Sequence, residues 1–168
     1  MKNTVNMMIS SIGDIDPKKV VIVRAKAKIP VGELVEKARK VAGRWHALQL
    51  FSVDAVMSRE HLLWAYANAL NAEKEKLEIA ATLSLEVLLF AAMSKQISDS
   101  IAKAGAKEGQ DIVVFAENTK IFSLIAMYLE DIKPFDCTPS QSEKAAHSFG
   151  LPGYNLDSLK AAMALSRL

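Results

Sequence analysis

Cysteine, glycine and histidine are scarce in this sequence, and their scarcity excludes several kinds of chemistry. The one cysteine, Cys137, permits neither an internal disulfide nor a cysteine-based metal cluster. The seven glycines form no G-x-G-x-x-G or G-x-x-x-x-G-K-[ST] loop, the patterns that cradle phosphates, and there is no G-x-S-x-G nucleophile elbow. The three histidines lie far apart, and no two of them have the H-E-x-x-H spacing of zinc proteases. The residues therefore predict no catalytic site, no metal and no cofactor.

Long hydrophobic runs are also missing. The longest uncharged apolar stretch is Val87–Met93, whereas a membrane-spanning helix needs roughly 20 apolar residues. The first residues are too polar for a signal peptide. The chain has 168 residues, of which 51% are hydrophobic and 24% charged, and this is typical of one globular domain. We expect a single soluble domain over residues 1–168, located in the cytoplasm.

Positive charge is concentrated in the first part of the chain. Residues 1–60 contain eleven Lys or Arg against six Asp or Glu, whereas residues 61–168 contain ten against thirteen. The segment 18–44 alone holds nine basic and two acidic residues. A basic surface of this kind attracts polyanions such as nucleic acid, although a solvated surface with uneven charge explains the same counts. Charge alone leaves both interpretations open.

Hydrophobic periodicity and turn residues predict interleaved strands and helices. Apolar runs predict strands over 5–12, 20–28, 45–53, 86–92 and 111–116. Capping residues and helical spacing predict helices over 31–42, 59–81, 95–104, 119–132, 139–150 and 155–168. The unbroken apolar run at 86–92 indicates a strand buried on both faces. The expected fold class is α/β (α+β): one domain with a central mixed, mainly antiparallel sheet covered by several helices.

Two predicted helix starts carry exposed polar residues after an apolar strand. Each consists of a capping serine and polar residues of the first turn: Ser58, Arg59 and His61 in one, Ser94, Lys95 and Gln96 in the other. Helix N-termini offer free N–H groups and a positive dipole end, which suit phosphate, and a glutamine can both donate to and accept from a base edge. Capped helices with a solvated first turn account for the same residues, so the pattern by itself allows both interpretations.

The same two segments resemble the small kinase-binding subunit family of the KEOPS complex. That family has R-E-H-L at the start of a long helix, matched here by residues 59–62. It also has E-[IV]-L-L-[YF]-A-[AS] followed by [KR]-Q-I, matched by residues 86–92 and 95–97. The second pattern is the specific one, and the resemblance is strong over residues 45–132 and weak at the ends. Small or polar residues are usual at the place of Ala92-Met93, and Met93 departs from them.

The resemblance implies a non-enzymatic partner of the Bud-type atypical kinase, in a complex that makes threonylcarbamoyl-adenosine in tRNA. It implies binding to the small lobe of the kinase and, in archaeal-type complexes, capture of the single-stranded 3′ CCA end of tRNA. The other KEOPS subunits would be indirect partners. On this basis we predict tRNA contacts from Arg59, His61, Ser94, Lys95 and Gln96. Arg59 and Lys95 would contact phosphates, and Gln96 a base.

The last predicted helix offers an apolar stripe for the kinase. Leu156, Leu159 and Met163 repeat at helical spacing, and we predict that they bind the kinase, although an ordinary core stripe has the same spacing. Two alternative functions stay open. One is a small enzyme or metabolite-binding protein with a site between the helix starts at Ser58 and Ser94. The other is a structural adaptor that binds the kinase and no RNA.

Overall fold

The structure is an antiparallel sheet with helices on both faces. The computed structural model describes residues 15–168, and the strand predicted over 5–12 lies outside them. The strands are β1 (Val21–Ala27), β2 (Leu48–Ser52), β3 (Ile112–Ala116) and β4 (Leu129–Pro134). The helices of the described residues are α1 (Val31–Ala42), α2 (Arg59–Lys74), α3 (Leu83–Ala91), α4 (Ile97–Ala104), α5 (Thr119–Ser123), α6 (Pro139–Ser148) and α7 (Leu156–Leu165). Short 3-10 turns lie at Val53–Ala55 and Ala126–Tyr128.

The sheet has the strand order β2-β3-β1-β4, and each pairing between these strands is antiparallel. Strand β3 is β-branched and aromatic, and all five of its residues are buried, as expected for an inner strand. Leu50 and Val23 both lie opposite Val114, from the two sides of β3. The predicted fold class, α+β with a mainly antiparallel sheet, is confirmed.

Alternation along the strands directs side chains into two cores. Leu48 and Leu50 pack on one face of the sheet, with residues of α1 and α5. Phe51 and Phe115 pack on the other face, with residues of α2, α3, α6 and α7. The second core is the larger one, and it holds the segments that carry the predicted contact residues. None of the helices in the described part of the chain is long and apolar enough to cross a membrane.

Local capping signals located several helix ends correctly. Helix α1 has the predicted bounds and ends at Gly43, whose φ of 61° is in the left-handed region that favours glycine. Ser58 caps α2 through its side chain, as predicted. Thr138 and Gln141 form a complete capping box at the start of α6, with Pro139 in the first helical position.

The prediction of a central strand over 86–92 is wrong, because this segment belongs to helix α3. Thr82 caps the helix by accepting a hydrogen bond from the Leu85 N–H at 3.2 Å. Eight of the nine residues of α3 are buried, so the helix is surrounded on all sides. A helix buried all round has no amphipathic period, and a short apolar run of this kind has the same pattern as a buried strand.

Three other predicted helices differ from the structure in extent or type. The helix predicted over 119–132 is the short α5, a 3-10 turn and strand β4. The helix predicted over 59–81 ends at Lys74. The helix predicted from Lys95 begins at Ile97, with Gln96 rather than Ser94 in the capping position.

Candidate functional site

The start of α2 is held by two hydrogen bonds to the Ser58 hydroxyl oxygen. This oxygen accepts from the His61 N–H at 3.1 Å and from the Tyr154 hydroxyl at 2.7 Å. Arg59 donates from Nη1 to the carbonyl oxygen of Ile22, at 3.2 Å, and the side chain is half-buried. Arg59 is therefore tied to β1 while part of its guanidinium stays accessible.

His61 lies in the interior, and the expectation that it is exposed is wrong. The residue is 1% exposed. Its Nδ1 accepts from the Met57 N–H at 3.1 Å, so Nε2 carries the proton and donates to the Ala91 carbonyl oxygen at 2.9 Å. Burial lowers the pKa of His61 to about 4, against the smaller opposing effect of the Ala91 carbonyl. The neutral imidazole thus joins the start of α2 to the end of α3.

This contact brings the two predicted helix starts together, because Ala91 directly precedes the loop 92–96. In that loop Lys95 and Gln96 are exposed and Ser94 is half-buried. The loop turns at Met93, whose φ of 52° is in the left-handed region. The Gln96 N–H donates to the Ser94 hydroxyl at 3.1 Å. Of the five predicted tRNA contacts, Lys95 and Gln96 are therefore the most accessible.

A polar cavity of about 170 Å³ lies beside the segment that precedes α2, which contributes Val53 and Asp54 to its wall. Its charged residues are Arg24, Asp54, Asp136 and Lys144. Cys137, also on its wall, connects it to the segment before α2 by donating from Sγ to the Val56 carbonyl oxygen at 3.4 Å. Burial, with the nearby Asp136 carboxylate, raises the pKa of the Cys137 thiol. The thiol stays protonated at neutral pH, which does not suit a nucleophile.

The stripe predicted to bind the kinase is mostly core. Leu159 and Met163 are both 0% exposed, and Leu156 is half-buried against the same cluster. The sulfur of Met163 also accepts from the Asn68 side-chain amide at 3.8 Å. Leu159 and Met163 lie in the interior because α7 turns this face toward α2, so in this fold a partner cannot reach them directly.

Four other apolar residues lie in solvent at this end of the molecule. They come from the loop 75–82 and from the chain end, and they are between 47% and 64% exposed: Leu77, Ile79, Leu165 and Leu168. We call them the C-terminal apolar surface. The carboxylate of Glu86 brings the two segments together: Oε2 accepts from the Ile79 N–H at 3.1 Å, and Oε1 lies 2.7 Å from Nη2 of Arg167.

Sequence reasoning missed this surface and the glutamate beneath it. Glu86 is the one charged residue of α3, and its side chain is 2% exposed. A carboxylate buried in an apolar helix needs partners, since an unpaired buried charge is costly. The lone Glu within the run 83–93 was thus the available signal, whereas nothing local predicted that Arg167 is its partner.

The fold is α+β, and it carries an exposed apolar surface and a separate polar loop. These two features are typical of a domain that binds partners. A family model described as kinase binding protein CGI-121 matches residues 32–147. The chain belongs to this family, and the resemblance found in the sequence is confirmed. The regulatory protein Cgi121 of Methanocaldococcus jannaschii is 30% identical over 86 residues, which cover 49% of this chain and 57% of that relative. The chain thus spans little more than half of that relative's length.

Proposed function

We propose that this protein is a non-catalytic subunit of a KEOPS complex, which binds the Bud-type atypical kinase and recruits tRNA by its 3′ CCA end for threonylcarbamoyl-adenosine modification. Residues 1–168 would act as one kinase-binding domain. The observation that carries the proposal is membership of a family described as kinase-binding, over residues 32–147. The tRNA role rests on the sequence resemblance and on the accessibility of Lys95 and Gln96.

The kinase contact is proposed at the C-terminal apolar surface. Exposed apolar residues that lie together mark interaction sites, because isolated ones are common but clusters are costly to leave in water. Leu165 is 64% exposed, although it belongs to the same helix as the buried Leu159. We therefore keep the proposed kinase contact on the last helix, as predicted from the sequence, but assign it to the exposed end of that helix. Leu159 and Met163 support this surface from within.

The RNA contact is proposed at the loop 92–96 and the adjoining start of α2. Lys95 supplies a mobile cation for a phosphate, and Gln96 supplies a donor and an acceptor for the edge of an unstacked base. Arg59 adds its remaining N–H groups, and Ser94 a half-buried hydroxyl. His61 acts from the interior, because its hydrogen bond to Ala91 fixes the position of the loop against α2.

The kinase contact is tested by measuring the affinity of the purified Bud-type kinase for surface variants. The double variant Ile79→Ser with Leu165→Ser removes two exposed apolar side chains, and we expect affinity to fall by at least about tenfold, which is a loss of roughly 1.4 kcal/mol. The matched control is Leu124→Ser with Met127→Ser, two residues exposed by 50% and 67% on the other face of the sheet. If both double variants lose affinity equally, or if the first loses none, the kinase interface lies elsewhere.

The RNA contact is tested with tRNA that carries or lacks its terminal CCA. We expect tighter binding of the intact tRNA, and Lys95→Glu should weaken binding and lower the slope of log affinity against log salt by about 0.7 to 0.9, the contribution of one phosphate contact. Lys120→Glu, an exposed lysine of α5 on the opposite face, is the control. Equal affinity for both tRNAs would remove the CCA proposal, and no binding of either tRNA would leave an adaptor that binds only the kinase.

The alternative of a metabolite site between the two helix starts has less support. The His61 imidazole lies between the two helix starts, and both of its ring nitrogens are already hydrogen-bonded. Thermal-shift screening tests this alternative directly, since a ligand that binds only the folded state raises the melting temperature. Stabilisation by a nucleotide or a small acid, without tRNA binding, would favour it.

A further inference from the structure

Arg167 is buried although it is the second-last residue of the chain. Its side chain is 5% exposed, whereas arginine is among the residues that proteins rarely bury without a partner. The two neighbouring leucines, Leu165 and Leu168, are exposed. The chain end is therefore folded so that its cation points inward and its leucines point outward.

The guanidinium of Arg167 is held by one charge and one ring. Nη2 lies 2.7 Å from Glu86 Oε1, and the guanidinium carbon lies 3.9 Å from the centre of the Phe90 ring. Among residues 15–168, no acceptor forms a hydrogen bond of normal geometry with Nε, Nη1 or Nη2, and Glu86 Oε1 accepts none, although all four atoms are buried. The contact between Nη2 and Oε1 is therefore an ion pair rather than a hydrogen bond. Burial lowers the pKa of Arg167, and Glu86 opposes this effect. Few contacts therefore hold the Arg167 side chain in place. They compensate only partly for the cost of removing its guanidinium from water.

The other oxygen of Glu86 holds a segment far away in the sequence. Oε2 accepts from the N–H groups of Ile79 and Ala80, at 3.1 and 2.8 Å. The loop 75–82 and the chain end are thereby attached to opposite oxygens of one buried carboxylate. Because the exposed side chains of these two segments form the C-terminal apolar surface, its shape depends on both attachments.

We propose that Glu86 and Arg167 form a clasp that joins the chain end to the loop 75–82, and that the kinase-docking surface is assembled only while this clasp is closed. The inference rests on the kinase contact proposed above and adds a positioning role for two residues that do not face the partner. When Arg167 leaves, Glu86 is a buried carboxylate without its cation, so water or the loop must move to solvate it. Opening at one segment therefore loosens the other.

The test is amide hydrogen exchange of the free protein over residues 1–168, combined with kinase affinity. Arg167→Met keeps the apolar stem over Phe90 and removes the charge. We expect faster exchange, by at least about tenfold, at the amides of Ile79 and Ala80 as well as in the last turn of α7, and a kinase affinity lower by a similar factor. Arg39→Met is the matched control, since Arg39 is exposed and pairs with Glu36 within one helix turn.

Arg167→Lys serves as a milder variant if Arg167→Met does not fold cooperatively, and it should give changes of the same kind but smaller size. Unchanged exchange at Ile79 and Ala80 in both variants would overturn the clasp, even if kinase affinity falls, because Arg167 would then act by direct contact. Faster exchange with unchanged kinase affinity would overturn the dependence of docking on the clasp, provided that Leu165→Ser still weakens binding. If Leu165→Ser also has no effect, the proposed kinase surface fails, while the exchange data still support the clasp.

Discussion

Replacing His61 with phenylalanine tests whether a buried, neutral imidazole holds α2 against α3. Phenylalanine preserves most of the ring volume but can neither accept from the Met57 N–H nor donate to the Ala91 carbonyl. An unpaired buried polar group costs about 1 to 3 kcal/mol, so the loss of both partners predicts a destabilisation of roughly 2 to 6 kcal/mol near neutral pH. This is a large fraction of the roughly 5 to 15 kcal/mol that stabilises a typical domain.

The effect of this substitution must depend on pH, and the sign follows from the pKa of His61. The folded-state pKa is about 4, below the ordinary value of 6.5 that applies to the unfolded chain. Between these values the unfolded chain binds a proton at His61 and the folded chain does not, so the stability that His61 contributes is fully present above 6.5 and is lost as the pH falls toward 4. At about 1.4 kcal/mol for each pH unit, the loss reaches roughly 2 to 3 kcal/mol at about pH 4.5.

The assay is urea denaturation of the wild type and the variant at about pH 7.5 and about pH 4.5. Comparing the two proteins removes the carboxylates, which titrate equally in both. We expect the stability gap to be largest at the higher pH and to shrink by roughly 2 to 3 kcal/mol at the lower one. His147→Phe is the control, because His147 is exposed. A gap that is the same at both pH values would refute the neutral, buried assignment of His61.

Three further substitutions test local features of the fold. Lys76→Gly should stabilise the protein by up to about 1 kcal/mol in urea denaturation, because Lys76 has a φ of 57° at the end of α2, whereas Lys74→Gly, within the helix, should destabilise it by a similar amount. Thr138→Ala removes half of a capping box and should cost about 1 kcal/mol in the same measurement. Glu117→Gln should move the raised pKa of Tyr66 back toward its ordinary value, since burial and the Glu117 carboxylate both raise it; ultraviolet titration of the phenol measures this change, and an unchanged pKa would show that Glu117 is not one of its causes.

Helix ends were predictable where a short sequence determines them. The capping box at Thr138, the serine at 58 and the glycine at 43 act within one turn of the helix that they bound, so their effect needs no tertiary information. Helix α3 was missed for the opposite reason. Whether this run forms a helix or a strand depends on the helices that pack against it, α2 and α4. The pattern within residues 83–91 carries no information about them.

Strand β4 shows the same limit. Ile132 and Leu129 fit a helical stripe in the sequence, but the segment pairs with β1 across a bulge, where Asp131 has a φ of 52°. Pairing between segments about a hundred residues apart produces no recognisable pattern in the sequence of either segment. The segment is extended because β1 presents an open edge, and local propensity is a weak influence beside that pairing.

For the site, the sequence located the segments but could not assign exposure. Periodicity correctly placed Leu159 and Met163 on one face of a helix, yet it says nothing about what covers that face, and α2 covers it. The position of His61 in the first turn suggested exposure for the same reason. The exposure of Lys95 and Gln96 was predicted correctly, because polar side chains in a surface loop are rarely covered by neighbours.

The segment 86–97 is the specific part of the family resemblance, and two of its residues, Glu86 and Ala91, make contacts with distant parts of the chain. Glu86 lies near the start of α3 and meets the chain end, while Ala91 closes the helix and accepts from His61. At about 1.5 Å per residue these two points are roughly 7.5 Å apart along one buried helix. Helix α3 therefore contacts both proposed sites: the kinase surface through Glu86 and the RNA loop through Ala91. On these two proposals, the charge at Glu86 and the turn after Ala91 account for a family pattern in a run that otherwise resembles ordinary core.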